Sequence, residues 1–328
     1  MSRRILFTGV NSGLSKMLEN DAELPSIAKK LGHQLCSDLD QRPDVVICID
    51  YDRKFKNLLV TARGLGVPLV LVKQEPPVVN PTHLNENPAG LFDLVISRAK
   101  ADQKPTFPPA QIWDTTHIAK STRLKRIVAI SADKWSFIPG ELYSLRRLMY
   151  ATHSRITLYG RSWTDSNWTR FRRLLKELVI AASHGVVPKL ANMRLAFKIP
   201  LNFQGVADNK LEVLSRYHAA LVIENDATSL SEKLMDCILA GTIPVYVGPP
   251  TESFGIPNDL VVSCEPDASS ISTALDLALE RNSKEYRAKV WAWASQDSSR
   301  SAWSDESVGT TLLDYIVDKT SQGHGANG

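Results

Sequence analysis

Between Arg216 and Pro250 the chain reads RYHAALVIENDATSLSEKLMDCILAGTIPVYVGPP. Ala219 to Ile223 is a short apolar run that ends in Glu224-Asn225. Ser229 or Ser231 can cap a helix reaching about Leu239, and Glu232 in its first turn suits the positive helix end. Ala240-Gly241 stops that helix, and Ile243 to Val247 reads as a buried parallel strand closed by Gly248-Pro249-Pro250. The result is a β-α-β unit whose polar residues follow the carboxyl end of its first strand, where open α/β sheets hold ligands. A helix N-terminus at that point is a place for an anion. A second carboxylate, Glu75, follows another apolar run, Leu69 to Val72, and Pro76 restricts it to extended backbone. It is either a cleft-facing acid or a solvated glutamate in a proline-rich loop.

The surrounding chain has the alternation needed to place these residues. Strands are expected at Ile5 to Val10, Val45 to Ile49, Leu69 to Val72 and Phe92 to Ser97. Helices are expected over Leu24 to Leu35 and from about Lys54 to Leu65, ending at Gly66. Asn11-Ser12-Gly13 lacks the spaced glycines of a dinucleotide site. The proline-rich stretch Lys104 to Thr116 reads as a linker. Beyond it come strand Arg126 to Ile130 with Ser131-Ala132-Asp133-Lys134, a helix from Glu141 to about Ala151, and strand Ile156 to Tyr159. Apolar residues 171, 174, 175, 178 and 179 have helical spacing, beside a basic face of Arg170, Arg172, Arg173 and Lys176. The stretch Val186 to Phe203 is irregular; helices follow at Lys210 to Tyr217, Ala268 to Glu280, Ser283 to Ala294 and Val308 to Val317, and Leu260 to Val262 reads as a strand. Trp291, Trp293 and Trp303 are expected to pack, and Thr320 to Gly328 to fray. The pattern predicts an α/β protein of two Rossmann-like domains, 1–115 and 116–320, with a flexible tail at 321–328.

Bulk composition agrees with that size. The 328 residues are 43% hydrophobic and 23% charged, enough for two cored domains. The formal charge of +4 is compatible with an anionic substrate or a membrane surface and proves neither. Cys36, Cys48, Cys237 and Cys264 lack paired ligand spacing and read as free thiols in apolar surroundings. No metal site is expected, Asp38-Leu39-Asp40 being surface-like. No membrane-length apolar run or signal segment is visible, so the expected location is cytoplasmic, with the basic face at 170–176 as the point of any peripheral contact with the inner membrane. A solvated basic face is the commoner explanation of such a run. No nucleic-acid module accompanies it, and no nucleic-acid partner is expected. The sequon Asn167-Trp168-Thr169 reads as chance.

The stretch 216–250 resembles the donor-binding core of the α1,3-fucosyltransferases. Tyr217, Glu224-Asn225, Ser231-Glu232-Lys233-Leu234, Gly241-Thr242-Ile243-Pro244-Val245 and Gly248-Pro249 stand in that family's order and near its spacing. Weaker likeness extends over 70–102, where Glu75-Pro76-Pro77 resembles the family's Glu-Ser-Pro and Ser97, Arg98 and Asp102 resemble an acceptor-side segment. It also covers 126–161, where Ser131 fits, Ala132 replaces an asparagine, and the family's phosphate-binding arginine is Arg146 or Arg147, with Arg147 preferred. The family tyrosine before Glu232-Lys233 is here Ser229, and Asp226 stands for the usual serine.

What the resemblance implies is a GT-B-like fold, two parallel-sheet domains facing a central cleft, and inverting transfer of fucose from GDP-fucose to a hydroxyl of a glycan acceptor. Glu75 is then the general base. Arg147 or Arg146, with Lys233, neutralises the departing diphosphate. Ser131 and Ser231 complete the donor site, Glu224 or Glu232 accepts hydrogen bonds from ribose or sugar hydroxyls, and Asn225 bonds ribose or orients the loop. No tightly bound cofactor and no essential divalent metal is implied. Two alternatives stay open: a related glycosyltransferase using another nucleotide sugar, and a non-catalytic nucleotide-sugar-binding relative. The oligomeric state is unassigned.

Overall fold

Continuous runs of β-branched and other apolar residues build two parallel sheets. The structure, a computed structural model, describes residues 2–9, 24–85, 87–97, 112–120, 122–188 and 190–322. The chain divides into one unit of Met1–Ile112 with Ser301–Gly328 and another of Trp113–Arg300. The sequence reading sets 116–320 as the second domain and 321–328 as a tail, whereas Ser301–Gly328 groups here with the first unit.

In the first unit the strands are β1 (Arg4–Gly9), β2 (Gln34–Cys36), β3 (Val45–Ile49), β4 (Leu69–Lys73) and β5 (Leu94–Ser97). All pair in parallel, in the order β2-β1-β3-β4-β5. Strands covered on both faces read as unbroken apolar runs, and every residue of β3 is buried. Helices α1 (Leu24–Lys30) and α2 (Lys56–Gly64) supply cover. The helix expected over Leu24 to Leu35 stops at Lys30, because Gly32 takes a left-handed turn (φ 82°) and Gln34–Cys36 leaves to form the edge strand. The C-terminal helix, Asp305–Gln322, buries Val308, Leu312, Leu313 and Ile316 in one core with Ile5, Ile27, Val45 and Val70. Its first three residues, Asp305 to Ser307, and its end through Gln322 exceed the expected range. Asn11-Ser12-Gly13, Arg98, Asp102 and most of the Lys104 to Thr116 linker lie outside the described residues.

The second unit runs β6 (Leu124–Ile130), α3 (Tyr143–Thr152), β7 (Ile156–Tyr159), α4 (Asn167–Ser183), α5 (Leu190–Leu195), α6 (Lys210–Ser215) and β8 (Tyr217–Ile223). It continues with α7 (Glu232–Leu239), β9 (Ile243–Val247), β10 (Val262–Ser263), α8 (Ala268–Glu280) and α9 (Ser283–Ala294). A short helix, α10 (Asp297–Trp303), contains the boundary after Arg300 and goes unanticipated by the apolar pattern. Sheet order is β10-β9-β8-β6-β7, again parallel throughout. From β6 the chain first moves outward to β7 and then returns to β8 on the other side. The order reverses between β6 and β8, and that is where an open sheet of this kind leaves a crevice beyond its strand ends. Trp293 and Trp303 are buried as expected, whereas Trp291 is half exposed on the outer side of α9. Cys36, Cys48 and Cys237 are buried free thiols, and Cys264 is partly buried.

Candidate functional site

The carboxyl ends of β6 and β8, at the reversal point, carry most of the second unit's predicted site. Glu224 follows β8 and is fully buried. Its Oε1 accepts the Ser231 N–H at 3.1 Å, and its Oε2 accepts the Ser231 hydroxyl. Ser231 stands at the N-cap of α7 but makes no side-chain cap of its own. Glu224 thus ties the start of α7 to the end of β8. Lys233, the second residue of α7, donates from Nζ to Ser231 Oγ at 2.8 Å and lies 3.8 Å from Glu224 Oε2. Burial pushes the Glu224 carboxyl up, with Lys233 opposing. Burial also pulls the Lys233 ammonium down, with the charges of Arg146 and Lys134 adding and Glu224 opposing.

Arg146 arrives from α3. The loop before that helix is fixed to the β8 end, since Leu142 N–H donates to Asn225 O at 3.0 Å and Glu141 bridges to Asp226. The Glu141 carboxylate accepts the Ser144 N–H at 2.9 Å and so closes the first turn. Arg146 then donates from Nε to Ile223 O at 2.8 Å and from Nη2 to Asn225 Oδ1 at 2.9 Å. The Asn225 side chain therefore holds Arg146 in place. Asp226 organises the turn beyond, accepting the N–H groups of Thr228 (2.8 Å) and Ser229 (2.7 Å).

Arg147, preferred by the sequence reading, is held elsewhere. It is 1% exposed, ion-paired to the equally buried Asp133, and donates to Ala196 O (3.1 Å) and Lys198 O (3.2 Å). Its guanidinium lies over the Trp135 and Trp163 rings, 4.0 and 5.0 Å from their centroids. Burial brings its pKa down to about 9. A side chain so committed knits the core and does not reach the β8 end. Ser131 is buried at the end of β6, with its hydroxyl on Ala132 O (3.3 Å) and its own carbonyl accepting Trp163 Nε1 (2.6 Å). Glu232 turns outward to Lys210 Nζ at 3.6 Å and does not join Glu224. Lys134, exposed just past β6, lies near enough for its charge to act on Lys233.

Gly248 closes β9 under the same cluster. A methyl there would collide with the Tyr246 hydroxyl and Glu224 Cγ. Tyr246 is buried, and its hydroxyl has no hydrogen-bond partner among the described residues. Burial, with Glu224 and Asp226 adding, raises its pKa well above that of a free phenol.

In the first unit Glu75 is exposed and follows the end of β4. Its loop is held from beneath. Asp50, buried and left-handed at φ 52°, accepts the N–H groups of Gln74 (2.7 Å) and Glu75 (3.0 Å) on Oδ1. Buried His83 donates from Nδ1 to Glu75 O at 2.8 Å and accepts from Asn80 Nδ2 at 3.2 Å. Burial holds His83 neutral, down to about 4, with Lys73 adding and the bond to Glu75 opposing. No cluster of side chains suited to a metal ion occurs among the described residues.

No family model and no curated protein sequence matches the chain. The fold, however, is similar to solved structures. A crystal structure of an α1,3-fucosyltransferase with GDP superposes with a TM-score of 0.55 at 15% identity, covering 98% of this chain and 91% of that one. Anabaena Alr3699/HepE, solved in complex with UDP-glucose, superposes at 0.56 and 10% identity, covering 96% and 100%. The chain therefore has the α/β, GT-B type of fold, with two parallel sheets of five strands.

Proposed function

We propose that the protein is a glycosyltransferase that moves a sugar from a nucleoside-diphosphate donor to a hydroxyl of a glycan acceptor. The observation that carries this reading is the convergence of Arg146 and Lys233 at the β8 end, beside the N-terminus of α7. Two cations and a helix end suit a diphosphate, whose charge grows as the sugar–oxygen bond breaks. Glu224, Asn225 and Ser231 position these cations. The exposed carboxylate of Glu75, on a loop braced by Asp50 and His83, takes the acceptor proton. Direct attack with one base inverts the anomeric centre. The donor we favour is GDP-fucose, because the residues of 216–250 resemble the α1,3-fucosyltransferase core. Comparable likeness to Alr3699/HepE supports a second reading, transfer from another nucleotide sugar such as UDP-glucose.

Titration of the purified protein with GDP, GDP-fucose, UDP and UDP-glucose separates these readings. The expected result is tight binding of the guanosine pair, weakened about 100-fold by Arg146→Ala or Lys233→Ala, since each removes charge-assisted bonds of about 1.5–3 kcal/mol. Glu75→Gln leaves donor binding intact and abolishes transfer. Selective uridine binding transfers the assignment to the second reading. Failure of all four nucleotides to bind rejects a transferase using these donors and favours a relative whose site has decayed.

A further inference from the structure

Helix α4 is amphipathic in an unusual sense: its outer face is apolar. Its inner face packs Leu174, Ala181 and Leu178 against Trp135, Phe137 and Ala196. Residues Trp168, Phe171, Leu175 and Val179, at helical spacing, are exposed instead, Trp168 by 66% and Val179 by 69%. Trp168 and Phe171 stack, with ring centroids 5.9 Å apart. Val187, just beyond the helix end, is 88% exposed. Isolated exposed apolar residues are ordinary, but an aligned strip of four calls for an occupant.

Charge selects among the occupants. Arg172 and Lys176 are exposed and border the strip on one side. Arg173 is not available to it, being bonded to Asp165 and to Asp133 O. The one acid of α4, Glu177, lies across the helix from Trp168 and is partly buried, which raises its pKa. The outer face therefore has apolar and cationic groups and no carboxylate. A two-fold copy of this chain would set Arg172 and Lys176 against like charges. A bilayer containing anionic lipid offers both what the strip and what its border require: an apolar boundary under a negative surface. Among the described residues no helix is long and apolar enough to cross a membrane. We infer that α4 lies in the interface of an anionic membrane, with Trp168, Phe171, Leu175 and Val179 entering the headgroup boundary and Arg172 and Lys176 meeting lipid phosphates. This inference stands apart from the donor site, none of whose residues it uses.

Vesicle co-sedimentation of the full chain tests it, comparing phosphatidylcholine vesicles with vesicles that also contain phosphatidylglycerol. Binding to the second kind is expected, falling with salt. Arg172→Glu with Lys176→Glu, and separately Trp168→Ser with Val179→Ser, are each expected to weaken it about tenfold or more. These positions are exposed, so the melting temperature and nucleotide binding of the variants should match the parent. Three results overturn the inference: no binding by the parent, equal binding by parent and variants, or binding indifferent to anionic lipid. Reversible dimerisation without vesicles, abolished by the same substitutions, also overturns it and assigns the face to a second copy.

Discussion

Two adjacent arginines in α3 show how one residue of register divides the candidate site from the core. Arg146 reaches the β8 end through Ile223 O and Asn225, while Arg147 points into the core toward Asp133 and two indole rings. Taking away one partner of a buried ion pair strands the other charge, at a cost of about 3–5 kcal/mol. Arg173 lies 3.8 Å from the same carboxylate and should hold the loss near the lower bound. Arg147→Met should therefore lower the unfolding free energy by about 3 kcal/mol in a urea titration. The fraction still folded should bind nucleotide as the parent does, in contrast to Arg146→Ala. A basic residue at the start of a helix is legible in the sequence, and so is its suitability for phosphate. Which of the two faces the sheet end is not, because the partners that decide it, Asp133, Trp163 and Ala196, are distant in the chain and meet only in the packed unit.

At the scale of elements, the central β8-α7-β9 crossover depends on how its helix ends as much as on how it begins. Gly241 is left-handed at φ 66°, and Arg123 covers that end, donating to Ala240 O (2.7 Å), Thr242 Oγ1 (2.9 Å) and Tyr217 O (3.2 Å). A side chain at Gly241 adds the left-handed penalty of about 1–2 kcal/mol and presses on Arg123 and Ile118. Gly241→Ala should thus destabilise by about 2 kcal/mol or more, read as a lower urea midpoint with unchanged slope. Continuous apolar strands and capped helices of this unit are readable with their bounds, as at Ile156–Tyr159, Ile243–Val247, Ala268–Glu280 and Ser283–Ala294. Each is long enough for burial on one or both sides to leave a periodic trace. The three-residue strand β2 leaves none, and Gln34 at its start is exposed. In the candidate site, Glu224, Asn225, Ser231 and Lys233 stand out in the sequence by order and spacing, but the hydrogen bonds that join Glu224 to Ser231 and Lys233, and Asn225 to Arg146, are not displayed there.

For the molecule as a whole, acid should act through the first unit. His83 is buried and neutral with a pKa of about 4, against 6.5 for the free imidazole. The unfolded chain therefore takes up the proton more readily, and stability drains away as pH falls from about 6.5 to about 4, by up to roughly 3 kcal/mol. Urea titrations across that range should show the decline. His83→Gln should lower stability at neutral pH yet flatten the acid-side slope; an unchanged slope would mean another group governs it.

The C-terminal helix belongs to the first unit's core, where Val308, Leu312, Leu313 and Ile316 lie against Ile5, Ile27 and Val45. The second unit, Trp113–Arg300, is by contrast one uninterrupted segment. On the ribosome the order of maturation is then reversed from the order of synthesis. Strands β1 to β5 emerge first but must wait, with one face of their sheet covered only in part by α1, until residues near 316 have left the exit tunnel. The later-made unit can finish before them, and the nascent amino-terminal part is the segment with most need of chaperone cover.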